Sequence, residues 1–329
     1  MNERKIQYSS EMSRKKLIEI SNFKEANGFK PKEHVVSMAP LNVLDSEANF
    51  IFRSRAYLSS PTGEEIPVII CYPENYSKEK RYPAIICLTG SGGSKEDLVD
   101  CIPLLPFLAK NGFVAIALDR PYQGERHSSN QSFEDFIDDA LVNGNYDDYF
   151  GRCQFELEIV YQYLENKGNI NKIGVLGASQ GGFEGYVFAS MEKQIACAVI
   201  ISGIIDWEVM YDSQSEAWKC LVFPESKIYK KVKEYEKETG DILEACYSVL
   251  DTWINDYKVW IPQLNAIPIY FSAGENDPLC LLSSVKKAYE LAKQRSDDKA
   301  VSLNIENRGH NITYDTLNNA LVFLNKYLK

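Results

Sequence analysis

Lys172-Ile173-Gly174-Val175-Leu176-Gly177-Ala178-Ser179-Gln180-Gly181-Gly182 runs from a short apolar segment straight into the pattern Gly-x-Ser-x-Gly. The pattern has a steric origin. A serine thrust out between the end of a strand and the start of a helix needs neighbours without side chains two positions to either side, and Gly177 and Gly181 meet that need. Ile173 to Leu176 reads as a buried strand, and Phe183 to Met191, aromatic and small in turn, reads as the helix behind it. Ser179 is therefore the candidate nucleophile.

Working outward, strands and helices alternate on both sides of this turn. Phe50 to Leu58 and Ile66 to Tyr72 read as a hairpin around Ser60-Pro61-Thr62-Gly63. They are followed by a strand at Tyr82 to Leu88, a helix at Glu96 to Asn111, a strand at Phe113 to Leu118 and a helix at Cys153 to Glu165. Beyond the serine come strands at Ile195 to Ile201, Ile267 to Ser272 and Val301 to Ile305, with helices at Ser283 to Arg295 and Tyr314 to Leu328. Such alternation predicts an α/β architecture, a mostly parallel twisted sheet with helices on both faces.

Two segments stand apart. Residues 1–48 are charged and weakly periodic, with a helix expected near Ser13 to Phe23, and read as an N-terminal arm. Residues 204–266 are too long for an ordinary crossover, show helical stretches at Ile228 to Glu238 and Ile242 to Tyr257, and hold all four tryptophans. They read as a helical cap inserted into a core formed by 49–203 and 267–329. Trp207 and Trp260, with Tyr122 from an earlier loop, are the candidate substrate-binding aromatics, although large aromatics anchor insertions by packing just as often.

The bulk properties exclude some function classes. A net charge of −10 argues against a nucleic-acid surface and against anionic membranes. No apolar run approaches the ~18 residues of a membrane span, and Met1 to Gln7 lacks a signal-peptide core, so the expectation is a cytoplasmic protein. The 8 cysteines include no Cys-x-x-Cys pair, and Cys71, Cys87 and Cys197 lie inside apolar runs, as reduced structural cysteines do. No metal and no organic cofactor is expected. The expected partner is a small or neutral molecule, and assembly into a homo-oligomer stays open.

A serine hydroxyl is a weak nucleophile at neutral pH, so the search turns to a base and to a group that orients it. The chain has three histidines, His34, His127 and His310. His310, in Asn307-Arg308-Gly309-His310-Asn311, follows the last strand and so falls at the sheet edge where open α/β folds gather their chemistry. His127 precedes the serine and is expected to bind substrate or to be simply exposed, and His34 is expected on the surface of the arm. The acid is expected between serine and histidine, and Asp277 in Gly274-Glu275-Asn276-Asp277-Pro278 lies 98 residues after Ser179 and 33 before His310. Asp206, which ends an earlier strand, is the rival. Backbone N–H groups of Gln180 and of Ser91, in the loop Thr89-Gly90-Ser91-Gly92-Gly93, are the candidate oxyanion hole.

With these elements in this order, the chain from about residue 49 onward resembles the α/β-hydrolase superfamily. Within it the chain is similar to the dienelactone-hydrolase, prolyl-oligopeptidase-like and acetyl-xylan-esterase branches. Gly177 to Gly182 resembles the Gly-x-Ser-Gln-Gly-Gly of acetyl xylan esterases, Asp119 to Gly124 is similar in part to their Arg-Gly-Gln-Gly segment, and Asp277-Pro278-Leu279-Cys280 looks like their acid loop. The chain departs from that pattern at His310-Asn311, where the family has His-Glu, and at Thr89, where esterases often have His. The resemblance implies a serine hydrolase of carboxylic esters working through an acyl-enzyme. Thioesterase or acyltransferase, peptidase, and a non-catalytic ligand-binding protein are the alternatives.

Overall fold

The computed structural model describes residues 10–42, 50–127, 130–143, 146–206, 227–240, 257–264, 267–294 and 300–329. Nine strands form a single sheet: β1 (Glu33–Asn42), β2 (Phe50–Ser59), β3 (Glu65–Tyr72), β4 (Tyr82–Leu88), β5 (Val114–Leu118), β6 (Ile170–Ala178), β7 (Ala198–Ile201), β8 (Ile269–Gly274) and β9 (Val301–Glu306). Their spatial order is β1-β2-β3-β5-β4-β6-β7-β8-β9. The first three strands and β5 pair antiparallel, and from β5 to β9 every pairing is parallel.

The parallel strands β4, β5, β7 and β8 are buried on both faces, which is why they read as largely continuous apolar runs. Successive residues of β4 feed two different cores. Ala84, Ile86 and Leu88 enter a cluster with the helices Tyr146–Asn166 and Gln180–Met191, whereas Ile85 and Cys87 enter one with the helices Leu104–Lys110 and Tyr314–Leu328. Burying one such aliphatic side chain is worth roughly 1.5–3 kcal/mol, so the two layers fix the register of the central strands.

The chain passes from β4 to β5 on one side, then returns to place β6 on the other side of β4. At such a reversal the loops leaving the strand C-termini diverge and open a crevice. The register pairs Leu88 with Gly177, Ala178 with Ile201, Ile201 with Ser272, and Gly274 with Glu306. The loops after β4, β6, β7, β8 and β9 therefore all leave the sheet at one edge.

The N-terminal arm is where the fold corrects the sequence reading. Glu33–Asn42 is the edge strand β1, paired along its length with β2, and the helix Ser10–Ile20 packs against the helix Tyr146–Asn166 with Leu17 fully buried. The alternation that would have marked β1 is missing because this edge strand is exposed on both faces, with Val35, Val36 and Met38 all 43% exposed or more. The helix expected over Glu96 to Asn111 is split into Asp97–Asp100 and Leu104–Lys110, since Pro103 stops the first turn. Within the expected cap, Lys227–Thr239 is helical and packs against the helix Phe133–Asn143. Most of the second expected cap helix, and Trp207, Trp218 and Trp253, lie outside the described residues.

Candidate active site

Ser179 occupies the turn between β6 and the helix Gln180–Met191 with φ 53° and ψ −122°, a region that L-residues rarely adopt and that costs about 1–3 kcal/mol. Its N–H is held by Ile201 O at 2.9 Å. The two glycines are required by contact. A Cβ on Gly177 would sit 1.9 Å from Gly181 O, and one on Gly181 would sit 2.5 Å from both Leu88 O and Thr89 O. That second approach carries a hydrogen bond, from Gly181 N–H to Thr89 O at 2.9 Å. The strained turn and the loop after β4 are thus locked to each other.

The loop after β9 brings His310 onto the serine. Ser179 Oγ lies 2.9 Å from His310 Nε2, and His310 Nδ1 lies 3.0 and 2.9 Å from the two Asp277 oxygens. Asp277 Oδ1 also accepts the N–H groups of Leu279 and Cys280, each at 2.9 Å. Burial alone would push this carboxyl up, but the hydrogen bonds from His310 and from those two amides, with the charge His310 can carry, hold it below the ordinary carboxylate range. An ionised Asp277 only accepts, so the proton sits on Nδ1 and leaves the Nε2 lone pair facing the serine hydroxyl. The arrangement is able to take a proton from Ser179 Oγ and return it to a leaving group.

The rival acid is engaged elsewhere. Asp206 is 2% exposed and faces Tyr257 Oη at 3.3 Å, Lys287 Nζ at 3.1 Å and Lys258 Nζ at 3.4 Å. His34 sits exposed on β1, at the far edge of the sheet, and His127 is exposed after the short turn Gly124–Arg126.

The loop proposed for the oxyanion lies against the serine: a Cβ on Gly90 would be 3.5 Å from Ser179 Cβ. Gln180, 4% exposed, opens the helix behind the serine, and the next amide along is committed to Thr89 O. Gln180 directly follows Ser179 at the helix start, and Ser91 lies in the turn beside Gly90.

Sequence reading missed what holds this loop. Arg120 is 3% exposed, and its Nη2 has four acceptors within hydrogen-bond reach to share its two protons: Thr89 O at 3.1 Å, Thr89 Oγ1 at 2.8 Å, Gly90 O, and Gln123 Oε1 at 2.9 Å. Its Nη1 donates to Glu184 Oε2 at 2.9 Å, and Glu184 Oε1 accepts from Gln180 Nε2 at 2.8 Å. Tyr149 Oη accepts from both Gln180 Nε2 and Gln123 Nε2. Burial pushes the Glu184 carboxyl up, opposed by the Arg120 charge. The available signal was the i, i+4 spacing of Gln180 and Glu184, the amide and the carboxylate of a mostly apolar helix.

Tyr122 adopts φ 64°, is 38% exposed and stacks on Phe136 with centroids 3.8 Å apart, so it presents an aromatic face beside the same edge. Trp260 does not. It is fully buried in the main core, in a segment packed against the helices Ser10–Ile20 and Gln180–Met191, and it takes the packing role instead of roofing a pocket. Asp277, Cys280 and His310 have donor atoms within 4.8 Å of one another, as a metal site would among the described residues. Asp277 and His310 are bonded to each other, however, and Cys280 Sγ donates to Ser202 O at 2.7 Å.

Comparison with known proteins agrees with this fold. The family described as alpha/beta hydrolase fold matches residues 83–223, and the family described as BAAT / acyl-CoA thioester hydrolase C terminal matches residues 155–317. A curated relative, dipeptidyl-peptidase 5 of Porphyromonas endodontalis, is 26% identical over 169 residues. That match takes in 50% of this chain but only 23% of the relative's length. Among solved structures, acetyl xylan esterase 1 from a Thermoanaerobacterium species superposes with a TM-score of 0.66 at 16% identity, covering 97% of this chain and 98% of that one. An acetyl xylan esterase from a Paenibacillus species also gives 0.66, at 14% identity, covering 95% and 94%.

Proposed function

Since the chain belongs to the α/β-hydrolase superfamily, we propose that it is a serine hydrolase that cleaves carboxylic esters through an acyl-enzyme. The observation that carries this reading is the continuous line from Ser179 Oγ to His310 Nε2 and from His310 Nδ1 to Asp277, built on a strained turn.

In the first half-reaction His310 Nε2 takes the Ser179 proton as Oγ adds to the ester carbonyl. The Gln180 and Ser91 amides hold the resulting oxyanion. The tetrahedral species collapses, the C–O bond to the alcohol breaks, and His310 gives its proton to the departing oxygen. Water then repeats the sequence on the acyl-enzyme, releasing the acid and restoring Ser179. Asp277 stays ionised throughout and stabilises the imidazolium that forms twice. Preorganised amide donors of this kind are worth about 2.7–4 kcal/mol each when removed in comparable sites.

The match to the BAAT / acyl-CoA thioester hydrolase family favours a second reading, in which the acyl group arrives on sulfur. The experiment that separates them is a panel of acetyl, longer acyl, aryl and thioester substrates, with Ser179→Ala as the blank. Serine-dependent turnover of oxygen esters supports the proposal, and turnover confined to thioesters transfers it to the second reading. Hydrolysis of dipeptidyl amides but not of esters would favour the peptidase alternative instead. Activity unchanged in Ser179→Ala would remove the serine mechanism altogether.

A further inference from the structure

The loop that carries His310 hangs on a single buried cation. Arg308 is 5% exposed, and its Nη1 faces Gly309 O at 3.1 Å and Asn311 O at 2.8 Å, the carbonyls immediately before and after His310. The same nitrogen lies 3.0 Å from Ser202 Oγ, just past β7, and Nη2 donates to Ser272 Oγ in β8 at 2.9 Å. One guanidinium thus ties the loop after β9 to β8 and to the chain just past β7.

The backbone adds a second attachment. Asn276 N–H donates to Arg308 O at 3.0 Å, and a Cβ on Gly274 would lie 2.5 Å from Arg308 O and 2.6 Å from Gly309 O. The acid loop and the histidine loop are therefore stacked directly on each other. The charge of Arg308 is balanced by Glu306, 3.3 Å from Nε, and Glu306 in turn accepts from Thr313 and Thr316 at the start of the closing helix.

Stability is a poor explanation for this arrangement, because a buried ion pair roughly breaks even against an apolar replacement of similar volume. What an apolar side chain cannot do is fix two carbonyls and two hydroxyls at once in a planar fork. Resting on the serine-hydrolase reading, we propose that Arg308 is a positioning residue that holds the His310 imidazole between Ser179 and Asp277. It touches neither substrate nor the reacting atoms. Its action is geometric, and a misplacement near 1 Å costs on the order of 10²-fold in rate.

The test compares Ser179→Ala, Arg308→Lys, Arg308→Met and Arg308→Ala with the native chain, reading kcat and KM on an activated ester, fluorophosphonate labelling rate, and the melting curve. Arg308→Met is expected to lower kcat and labelling by about 10²-fold with KM within a few-fold. Arg308→Lys should fall between the two, and added guanidinium should restore part of the Arg308→Ala activity. A folded Arg308→Met that melts lower but keeps native kcat would overturn the proposal, since a merely structural arginine predicts that result. If the Arg308 variants do not fold, the double variant Ser202→Ala/Ser272→Ala removes two of the anchors, and a native kcat there would overturn it equally. Full turnover by Ser179→Ala would instead sink the serine reading beneath it.

Discussion

Replacing Asp277 by Asn tests the candidate site at its most specific point, because the structure dictates how the new amide must sit. Asp277 Oδ1 accepts the Leu279 and Cys280 N–H groups, so the amide oxygen has to take that position. The amide NH2 then replaces Oδ2, 2.9 Å from His310 Nδ1, and turns a donor toward it, leaving as acceptor only the amide oxygen at 3.0 Å, already shared by two backbone N–H groups. The imidazole is driven to carry its proton on Nε2, which now presents a donor to Ser179 Oγ at the 2.9 Å contact where an acceptor is needed. Shape and burial are unchanged, so folding should survive. The expected loss is about 10⁴-fold in kcat, or roughly 5.4 kcal/mol of transition-state stabilisation. The assay is steady-state hydrolysis of an activated acetyl ester, with melting curves as control and Asp206→Asn alongside. Asp206 is already engaged by Lys258, Lys287 and Tyr257, and its variant should retain turnover within a few-fold. An Asp277→Asn enzyme within tenfold of native activity would refute the assignment, and a large loss in Asp206→Asn would move the role there.

Two further outcomes follow from burial. Glu158 is fully buried, and that burial, only partly offset by a hydrogen bond from Gln162 and reinforced by the nearby Glu192 and Glu165 carboxylates, pushes its carboxyl up to about 8. Between the ordinary carboxylate range and about 8 the folded chain therefore binds the extra proton, and this group lowers stability as pH rises through that window. Glu158→Gln should melt like the native chain near pH 5 and progressively higher than it toward pH 8, and a melting difference independent of pH would contradict the argument. Trp260→Ala should cost about 3–5 kcal/mol, seen as a lower denaturant midpoint, while chain-length preference across an ester panel stays as it was; a shifted preference would return Trp260 to the substrate site.

Much of this protein is local, and the sequence by itself determined that part. The serine turn is written in contiguous residues because its strain and close approaches are met by the glycines beside it. The parallel strands β4, β6, β7 and β8 are legible because burial on both faces leaves only apolar residues available. Chain order and the scarcity of histidines then pointed to His310 and Asp277, the residues that the structure gathers around Ser179.

What the tertiary structure decided is whatever depends on partners distant in the chain. Edge strand β1 carries no periodic signal, since its pairing with β2 rests on backbone hydrogen bonds that any side chains permit. Trp260 reads the same in a core or over a pocket, and only its neighbours in space separate the two. Arg120 and Arg308 look like surface residues in a sequence, because burying an arginine becomes tolerable only when acceptors from separate strands converge on it. For Arg308 those acceptors come from the chain just past β7, from β8 and from the loop after β9, segments up to 106 residues apart that meet only when the sheet has formed.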